Sequence, residues 1–323
     1  MPITSYAQNF EDVILWRALE HVERGFYIDI GAQDPVVDSV SLAFYERGWR
    51  GIHVEPSANY AEKLRAARPD EEVIQAAVAL QGGEIAFFDI PNTGMSTGDE
   101  EIARKHESDG FKVSPVSVVS QPLSAILSRH GDRDIHWMKI DVEGMERQVM
   151  KSWFPSTARP WIVVVESTKP NSQEQNHDNW ESELLDLGYW FVYFDGLNRF
   201  YLNHSHAELR SKFGVGPNYF DAFVASNTSW LCRNTNVEIG VLRQQLMEER
   251  NGRAALEGRL AEEQNAKSSL EVQQRGAESA LESERHARQA LEGRLATIYA
   301  STSWRITEPL RFSMRAVRWL AGR

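Results

Sequence analysis

Up to about residue 225, short apolar runs alternate with segments of helical periodicity. The runs that predict strands are residues 27–30, 52–55, 73–78, 85–88, 136–140, 162–166, 189–194 and 222–224. Helices are predicted around residues 41–46, 60–67, 122–128, 146–152 and 180–187. This alternation predicts an α/β fold with a doubly wound, mainly parallel, Rossmann-like sheet. The segment Gly196-Leu-Asn198 predicts a hairpin-like ending with an antiparallel edge strand.

The pattern changes after Trp230, because residues 237–298 contain no proline and are dominated by Ala, Leu, Glu, Gln and Arg. This composition predicts a long helix. One heptad register holds the apolar residues Leu242, Leu246, Leu256, Leu260, Leu270, Leu281, Leu291, Leu295 and Ile298. We therefore predict a coiled coil over residues 236–300, which self-associates as a dimer or trimer. A solvated single helix is the alternative.

Charged and polar residues interrupt the same register. They are Glu249, Arg253, Glu263, Lys267, Gln274, Glu284 and Arg288. Polar residues at such positions weaken a coiled coil and select its register or oligomer number.

The C-terminal residues 301–323 combine aromatic and aliphatic residues with arginines. On a helix, Arg311, Arg315 and Arg318 share one narrow face, and apolar residues such as Trp304 and Trp319 cover most of the remainder. This pattern predicts a short amphipathic helix on an anionic membrane surface, here the inner membrane face. The alternative is docking onto a partner protein, such as a membrane-bound glycosyltransferase.

The composition of the 323-residue chain excludes some classes of function. The net charge of -11 excludes nucleic acid as a general partner of the main body, since phosphate contacts need clustered Lys and Arg. The single cysteine, Cys232, predicts a reducing, cytoplasmic compartment. The first residues show no basic segment that leads into an apolar one, so no signal peptide is expected. The apolar run at residues 161–165 is far shorter than the roughly 20 residues that span a bilayer.

The first candidate site lies where two predicted strands end. An apolar run reaches Gly31, and a second run ends at the acid Glu55, which is the layout of a nucleoside-binding βαβ unit. A dinucleotide pyrophosphate favours several glycines, but residues 32–35 supply none, which disfavours an NAD-dependent oxidoreductase. S-adenosylmethionine has no phosphate and needs one tight turn and one carboxylate for its ribose. We therefore predict S-adenosylmethionine as the cofactor.

A second pair of acids follows the predicted strand 136–140. Asp141 and Glu143 are expected at the same edge of the sheet as Gly31 and Glu55. One carboxylate there would act as the base for an acceptor hydroxyl, with Asp141 preferred and Glu143 second. The alternative is that Asp141 only caps the following helix. His53 is a further candidate base, although a packed or surface histidine is the commoner interpretation.

Five segments resemble, in order, the FkbM-type methyltransferases, which methylate sugars and natural products. The segments are residues 5–14, 27–32, 54–56, 138–144 and 162–166. The resemblance implies a class I methyltransferase fold over residues 1–230. It implies that Asp29, Gly31 and Ala32 lie by the methionine of the cofactor and that Glu55, with Pro56, binds the ribose. It also places Gln8 to Asp12 at the entrance of the site and residues 93–96 near the acceptor.

The resemblance implies an S-adenosylmethionine-dependent O-methyltransferase that acts on a sugar hydroxyl. Related sugar methyltransferases use carboxylate-bound magnesium, so Mg²⁺ is a candidate second cofactor, with its ligands left open. Residues 303–310 are similar to the C-terminal tails of some bacterial surface-polysaccharide enzymes, which suggests a glycan that the enzyme modifies or terminates. The alternative is a non-catalytic scaffold that recruits polysaccharide-synthesis enzymes through the coiled coil.

Overall fold

The structure, a computed structural model, describes residues 2–91, 93–170 and 172–321, without the side chains of residues 130 and 316–321. The chain divides into two compact units, Met1–Glu238 and Ile239–Arg323. The predicted domain boundary at residue 230 lies close to this division, and the predicted tail at residues 301–323 belongs to the second unit. Within the described residues, no helix combines the length and apolarity needed to cross a bilayer.

The described residues of the first unit form three sheets. Its strands are β1 (Ile3–Ser5), β2 (Phe26–Ile30), β3 (Arg50–Val54), β4 (Glu72–Ile74), β5 (Ala77–Val78), β6 (Gly83–Asp89), β7 (Ser114–Gln121), β8 (Trp137–Ile140), β9 (Ile162–Glu166), β10 (Tyr189–Phe194), β11 (Asn198–Asn203) and β12 (Phe223–Ala225). The main sheet has the order β10-β11-β9-β8-β2-β3-β4, and β9, β8, β2, β3 and β4 run parallel.

Helices cover both faces of the main sheet. The helices of this unit are α1 (Glu11–Leu19), α2 (Leu42–Tyr45), α3 (Ala58–Ala67), α4 (Glu100–Ser108), α5 (Leu123–Leu127), α6 (Glu146–Lys151) and α7 (Glu181–Asp186). Residues of α1 and α2 pack in the core of one face, and residues of α5, α6 and α7 pack in the core of the other. The central strands are buried on both faces, as parallel strands in doubly wound sheets are. Ile28, Met138 and Val163 pack in the core of one face, whereas Tyr27, Trp137 and Ile162 pack in the core of the other. The predicted α/β class and parallel sheet are confirmed.

The sequence predicts an antiparallel strand at the edge of the sheet, but the strand that runs against the others, β11, does not lie at the edge. β10 and β11 form a hairpin, but β11 also pairs antiparallel with β9, so it lies inside and β10 becomes the edge strand. Gly196 in the connecting turn has a φ of 103°, a conformation that glycine adopts without a steric cost. Because β11 lies between β9 and β10, both of its edges are hydrogen-bonded. This order of strands is that of the class I methyltransferase fold.

The segment 73–78, which the sequence predicts as one strand, is divided between two sheets. This segment forms β4, in the main sheet, and β5, which pairs parallel with β7. β6 pairs antiparallel with β7 and completes a three-stranded sheet of order β5-β7-β6. The third sheet joins the two ends of the unit, since β1 pairs parallel with β12.

The second unit is helical. The helix α8 (Arg233–Ala300) runs for 68 residues and is followed by α9 (Thr302–Ile306) and α10 (Glu308–Ala321). The predicted long helix is confirmed. Every residue of α8 is exposed, and its seam leucines range from Leu295 at 44% exposure to Leu256 and Leu270 at 65%. Coiled-coil pairing of this helix stays a prediction. The side chains of Arg318 and Trp319, and all of Arg323, lie outside the described residues.

Candidate functional site

A cavity of about 340 Å³ opens at the carboxyl ends of the parallel strands. In a doubly wound sheet this is the edge where ligands bind. Eight of the predicted site residues line it, namely Gln8, Asp29, Gly31, Ala32, Glu55, Pro56, Asp141 and Glu143. Its volume lies in the range of small-molecule sites.

The strand order places four of the lining residues in a row. Glu55 follows β3, Gly31 follows β2, Asp141 follows β8, and Glu166 ends β9. Since adjacent strands lie about 4.8 Å apart, the row from Glu55 to Glu166 spans roughly 14 Å. One cavity therefore contacts the ends of four neighbouring strands.

Gly31 is required by the close approach of two loops. Its φ is 79°, and a Cβ at this position would lie 1.8 Å from the carbonyl oxygen of Asp141. Its amide donates to the Val54 carbonyl at 2.9 Å, while the Asp141 amide donates to the Ile30 carbonyl at 3.0 Å. The turn therefore joins the ends of three strands and leaves bare backbone facing the cavity.

Glu55 is held rigidly beside this turn. One carboxylate oxygen accepts from the Gln33 amide at 2.9 Å, and the other accepts from the Ser57 amide at 2.8 Å. The residue is only 5% exposed. Burial raises the pKa of Glu55 to about 7, against the opposing effect of the two backbone donors. Its remaining lone pairs can accept from a ligand hydroxyl.

Lys139 supplies positive charge beneath the acids. It is 7% exposed, lines the cavity and donates to Asp141 at 2.5 Å. Burial alone would lower the pKa of Lys139, but the charges of Asp141, Asp29 and Glu11 outweigh it and raise the pKa above its ordinary value. Lys139 thus balances carboxylates from three different elements.

Asp141, Glu143 and Glu166 form a group of acids that we call the carboxylate cluster. Each offers a carboxylate oxygen that lies within 4.8 Å of the others. Burial, followed by the charge of Asp141, raises the pKa values of Glu143 and Glu166 well above the ordinary range. The oxygen donors fit a hard divalent cation, and Glu143 and Glu166, when ionised, are strong proton acceptors because their pKa values are raised.

A family model described as "Methyltransferase FkbM domain" matches residues 29–191, about half of the chain. The chain belongs to the FkbM methyltransferase family. This membership implies that the methyl donor is S-adenosylmethionine. A search of curated proteins gives no match.

Two solved structures are similar at low identity. One is a candidate S-adenosyl-L-methionine-dependent methyltransferase from Methanococcus maripaludis, with 11% identity over 59% of this chain and 84% of that one, and a TM-score of 0.28. The other is a candidate O-methyltransferase from Klebsiella pneumoniae, with 9% identity over 63% of this chain and 84% of that one, and a TM-score of 0.28. These likenesses are too distant to bear on function.

Strained backbone is concentrated at the site of this FkbM protein. Five described residues other than glycine have a positive φ, and three of them, Gln33, Asp38 and Glu143, at 52°, 57° and 50°, line the cavity. Such conformations cost about 1–3 kcal/mol each and persist where the surroundings impose them. The turn that aims Glu143 is therefore held in place by its contacts, among them the hydrogen bond from the Thr97 hydroxyl to the Glu143 carbonyl at 2.7 Å.

Two predicted site residues lie away from the cavity lining. The carboxylate of Asp12 accepts from the Ser5 hydroxyl at 2.6 Å and from the Tyr6 and Ala7 amides at 2.7 and 3.2 Å. Burial raises the pKa of Asp12 to about 6. With its oxygens turned towards the N-terminal segment, Asp12 is placed to fix that segment, not to touch a cofactor.

His53 was a candidate base, but its ring is fully buried in the first unit. Its Nε2 lies 2.8 Å from Glu71, and its Nδ1 lies 3.9 Å from Asp29. Burial acts to raise the pKa of Glu71, but hydrogen bonds from His53 and Tyr27 outweigh it and lower the pKa. The alternation of β3 places His53 and Glu55 on one side of the strand, but only Glu55 lies beyond its end. His53 is therefore not placed to meet a substrate.

Sequence reasoning missed several residues that line the cavity. Glu11 accepts from Asn198 at 2.8 Å, and burial raises its pKa to about 7. Lys139 could have been found as a charged residue inside an apolar strand, which needs a buried partner. Glu166 could have been found as the acid that ends the next strand of the sheet. The loop at residues 93–96, which the family resemblance placed near the acceptor, does line the cavity.

Proposed function

We propose that this protein transfers the methyl group of S-adenosylmethionine to a sugar hydroxyl during the synthesis of a bacterial surface polysaccharide. The observation that carries the proposal is the row of Glu55, Gly31, Asp141 and Glu166 along one cavity. It combines features suited to a nucleoside with a carboxylate cluster suited to an acceptor hydroxyl.

The cofactor part of the proposal concerns the half of the row formed by β2 and β3. Glu55 accepts from the ribose hydroxyls, since its two hydrogen-bonded oxygens are already oriented. The bare backbone of Gly31 and Ala32 faces the methionine portion, and the Asp29 carboxylate suits its ammonium group. Gln8 and Pro56 complete the lining on this side.

The acceptor part concerns the carboxylate cluster. Methyl transfer from a sulfonium is an in-line displacement, so the enzyme must hold the hydroxyl oxygen behind the methyl group and accept its proton. We assign the base to Glu143, whose raised pKa favours proton uptake. Asp141, the base preferred from the sequence, is paired with Lys139, and we assign it to orienting the acceptor.

A divalent cation fits the same cluster. Asp141, Glu143 and Glu166 would hold it through carboxylate oxygens, the ligands that Mg²⁺ prefers. When bound, the cation would stabilise the deprotonated form of the acceptor hydroxyl. The expected result of chelation is loss of transfer that Mg²⁺ restores, measured with the isolated protein. Full activity in excess chelator would show that transfer needs no cation and that the carboxylates alone accept the proton.

The glycan acceptor and the membrane location rest on the tail. Besides its similarity to surface-polysaccharide enzymes, it exposes Ile306, Leu310, Phe312 and Met314, each more than 60% accessible. Arg311 stacks on Trp304, with the guanidinium carbon 3.6 Å from the ring centroid. We propose that the tail binds anionic lipid at the inner membrane face. Deletion of residues 304–323 should abolish co-sedimentation with anionic vesicles, and unchanged binding would refute this part.

The test of the enzymatic proposal is calorimetry with S-adenosylmethionine. The unaltered protein should bind it. E55Q should weaken binding about 100-fold, because the charged acceptor of the ribose hydrogen bonds becomes a neutral amide whose NH2 group cannot accept one. E62Q, at an exposed position of α3, should bind normally. If no binding occurs, the scaffold alternative is favoured instead.

A second experiment identifies the acceptor. Surface glycans from cells with and without the gene are compared by mass spectrometry, and they should differ by one methyl group.

A further inference from the structure

The seam of α8 has an order that a reversed second copy would match. Its apolar residues are exposed along the whole helix, so the described chain leaves them without a cover. Between the leucine pairs lie pairs of opposite charge, with an acid followed four residues later by a base at Glu249 and Arg253 and again at Glu284 and Arg288. Read from either end, the outer parts of the helix present the same succession of apolar and charged positions.

A parallel, in-register dimer is disfavoured by this order. In that arrangement each seam residue faces its own copy, so Glu249 would face Glu249 and Arg253 would face Arg253. The same applies to Glu263, Lys267, Glu284 and Arg288. Like charges placed directly opposite each other in a helix interface oppose association. Shifting one helix by two heptads pairs some of the leucines, but it brings Glu249 to Glu263 and Arg253 to Lys267.

An antiparallel dimer removes these conflicts in one register. When the residue numbers of facing positions sum to 537, Ile239 faces Ile298, Leu242 faces Leu295, Leu246 faces Leu291, Leu256 faces Leu281, and Leu260 faces Ala277. Glu249 then faces Arg288, and Arg253 faces Glu284. Towards the centre, Glu263 faces Gln274 and Lys267 faces Leu270. No layer contains two charges of the same sign. Moving the register by one heptad in either direction sets at least three leucines against charged residues, whereas in this register only Leu270 faces a charge, that of Lys267.

We propose that α8 forms an antiparallel homodimer centred between Ser268 and Ser269, with a second copy of this chain as the partner. The proposal rests on the self-association predicted for the coiled coil. A hairpin within one chain would satisfy the same pairing, but the helix is continuous through Ser268 and Ser269, and no proline or glycine interrupts it there. The isolated chain satisfies Arg253 and Arg288 only through exposed ion pairs with Glu257 and Glu292 at 2.9 and 3.1 Å.

The pairing has a consequence for the two ends of the helix. Ile239 and Ile298 are separated by about 90 Å along one helix, at roughly 1.5 Å per residue. In the antiparallel dimer they are neighbours across the interface. The residues after Ile298 of one copy therefore lie beside the residues before Ile239 of the other. This places the start of each tail at the end of the rod where the partner's helix begins.

Cysteine cross-linking of the full chain tests orientation and register. In a C232S background, L246C combined with L291C should give a disulfide-linked dimer under mild oxidation, whereas L246C alone and L291C alone should not. Cross-linking by L246C alone would show a parallel dimer and overturn the proposal. A disulfide within one chain, a dimer that the double variant does not cross-link, or a chain that stays monomeric at tens of micromolar would overturn it as well.

Charge reversal gives an independent measurement. E249R should weaken dimerisation about tenfold or more, because two layers of opposite charge become layers of like charge. Adding R288E should restore it, while E262R, which lies off the seam, should have little effect. A parallel dimer would respond weakly to E249R and would show no rescue. These readouts do not involve methyl transfer, so their failure is distinguishable from failure of the enzymatic proposal.

Discussion

The two units of the chain use charged residues in opposite ways. In the first unit, Glu55 and Lys139 are almost fully buried, and each has defined partners within the same chain. In the second unit, every charged side chain of α8 is exposed, and the ion pairs described for this helix are of the i,i+4 type. The comparison teaches that the buried charges of the cavity are paired within one chain, whereas the charges along α8 are ordered as the proposed pairing with a second copy requires.

The largest effect is expected from G31A, which attacks the most crowded point of the first unit. The added Cβ would meet the Asp141 carbonyl at 1.8 Å, so one of the two loops must move. We expect a loss of stability of more than about 4 kcal/mol, or no folded protein, together with loss of cofactor binding. Denaturant unfolding and calorimetry measure the two effects.

Gly48 provides the matched control for that variant. Its φ of 85° resembles that of Gly31, but a Cβ there would meet nothing within 4 Å. G48A should therefore cost only about 1–2 kcal/mol, the penalty of the left-handed conformation itself. Equal losses from both variants would show that backbone conformation, not the contact with Asp141, limits Gly31.

K139M comes next, because it leaves buried carboxylates without their cation. Removing one partner of a buried pair costs roughly 3–5 kcal/mol. We expect a loss near the lower limit, since the Asp141 side chain is 27% exposed, and a fall in kcat that K139R partly reverses. In contrast, K63M breaks an exposed pair with Asp34 at 3.3 Å and should cost less than about 1 kcal/mol. Similar losses in both variants would contradict the balancing role of Lys139.

The buried acids predict a dependence of stability on pH. Glu11, Glu55 and Glu146 have pKa values raised to about 7, against ordinary values near 4.5 in the unfolded chain. The folded state therefore retains protons that the unfolded state releases, so stability is highest below about pH 4.5 from these groups and falls as pH rises towards 7.

The measurement is the melting temperature of the protein without ligands at pH 5, 6, 7 and 8. We expect it to fall over this range and to level off above the raised pKa values. Each unit of pKa shift corresponds to about 1.4 kcal/mol, so E146Q should make the fall visibly shallower. A melting temperature that rises from pH 5 to pH 8 would contradict the assignment.

The smallest effect is expected from R275A in the second unit. Arg275 and Glu271 lie 3.9 Å apart, with side chains 78% and 53% exposed, and both are off the seam. Such a pair contributes less than about 0.5 kcal/mol. Thermal unfolding followed by circular dichroism should be nearly unchanged, and a large loss would show that the helix uses its surface pairs for more than solubility.

Much of the site could be predicted from the sequence because it follows the strand ends. The main strands are continuous apolar runs, and the acid or glycine after each run marks a position at the carboxyl edge of a parallel sheet. Gly31, Glu55 and Asp141 were found in this way. The long helix was equally accessible, since its heptads are local in the sequence.

What could not be predicted depends on contacts between distant residues. β11 follows β10 directly, and nothing local indicates that it enters between β10 and β9. The burial of His53 depends on Glu71 and Arg68, which lie in the segment between α3 and β4. The extra sheet of β5, β6 and β7 lies in an insertion whose exposed, partly polar strands give a weak pattern. Long-range pairing, not local propensity, decides these features.

The missing side chain at Gly31 also couples two loops mechanically. Because the backbone of Gly31 lies against the Asp141 carbonyl, neither loop can shift by an ångström without displacing the other. A ligand that orders the turn after β2 should therefore also reduce the motion of the strained segment that carries Glu143. Hydrogen exchange at the Gly144 amide should slow when only the nucleoside half of the cavity is filled.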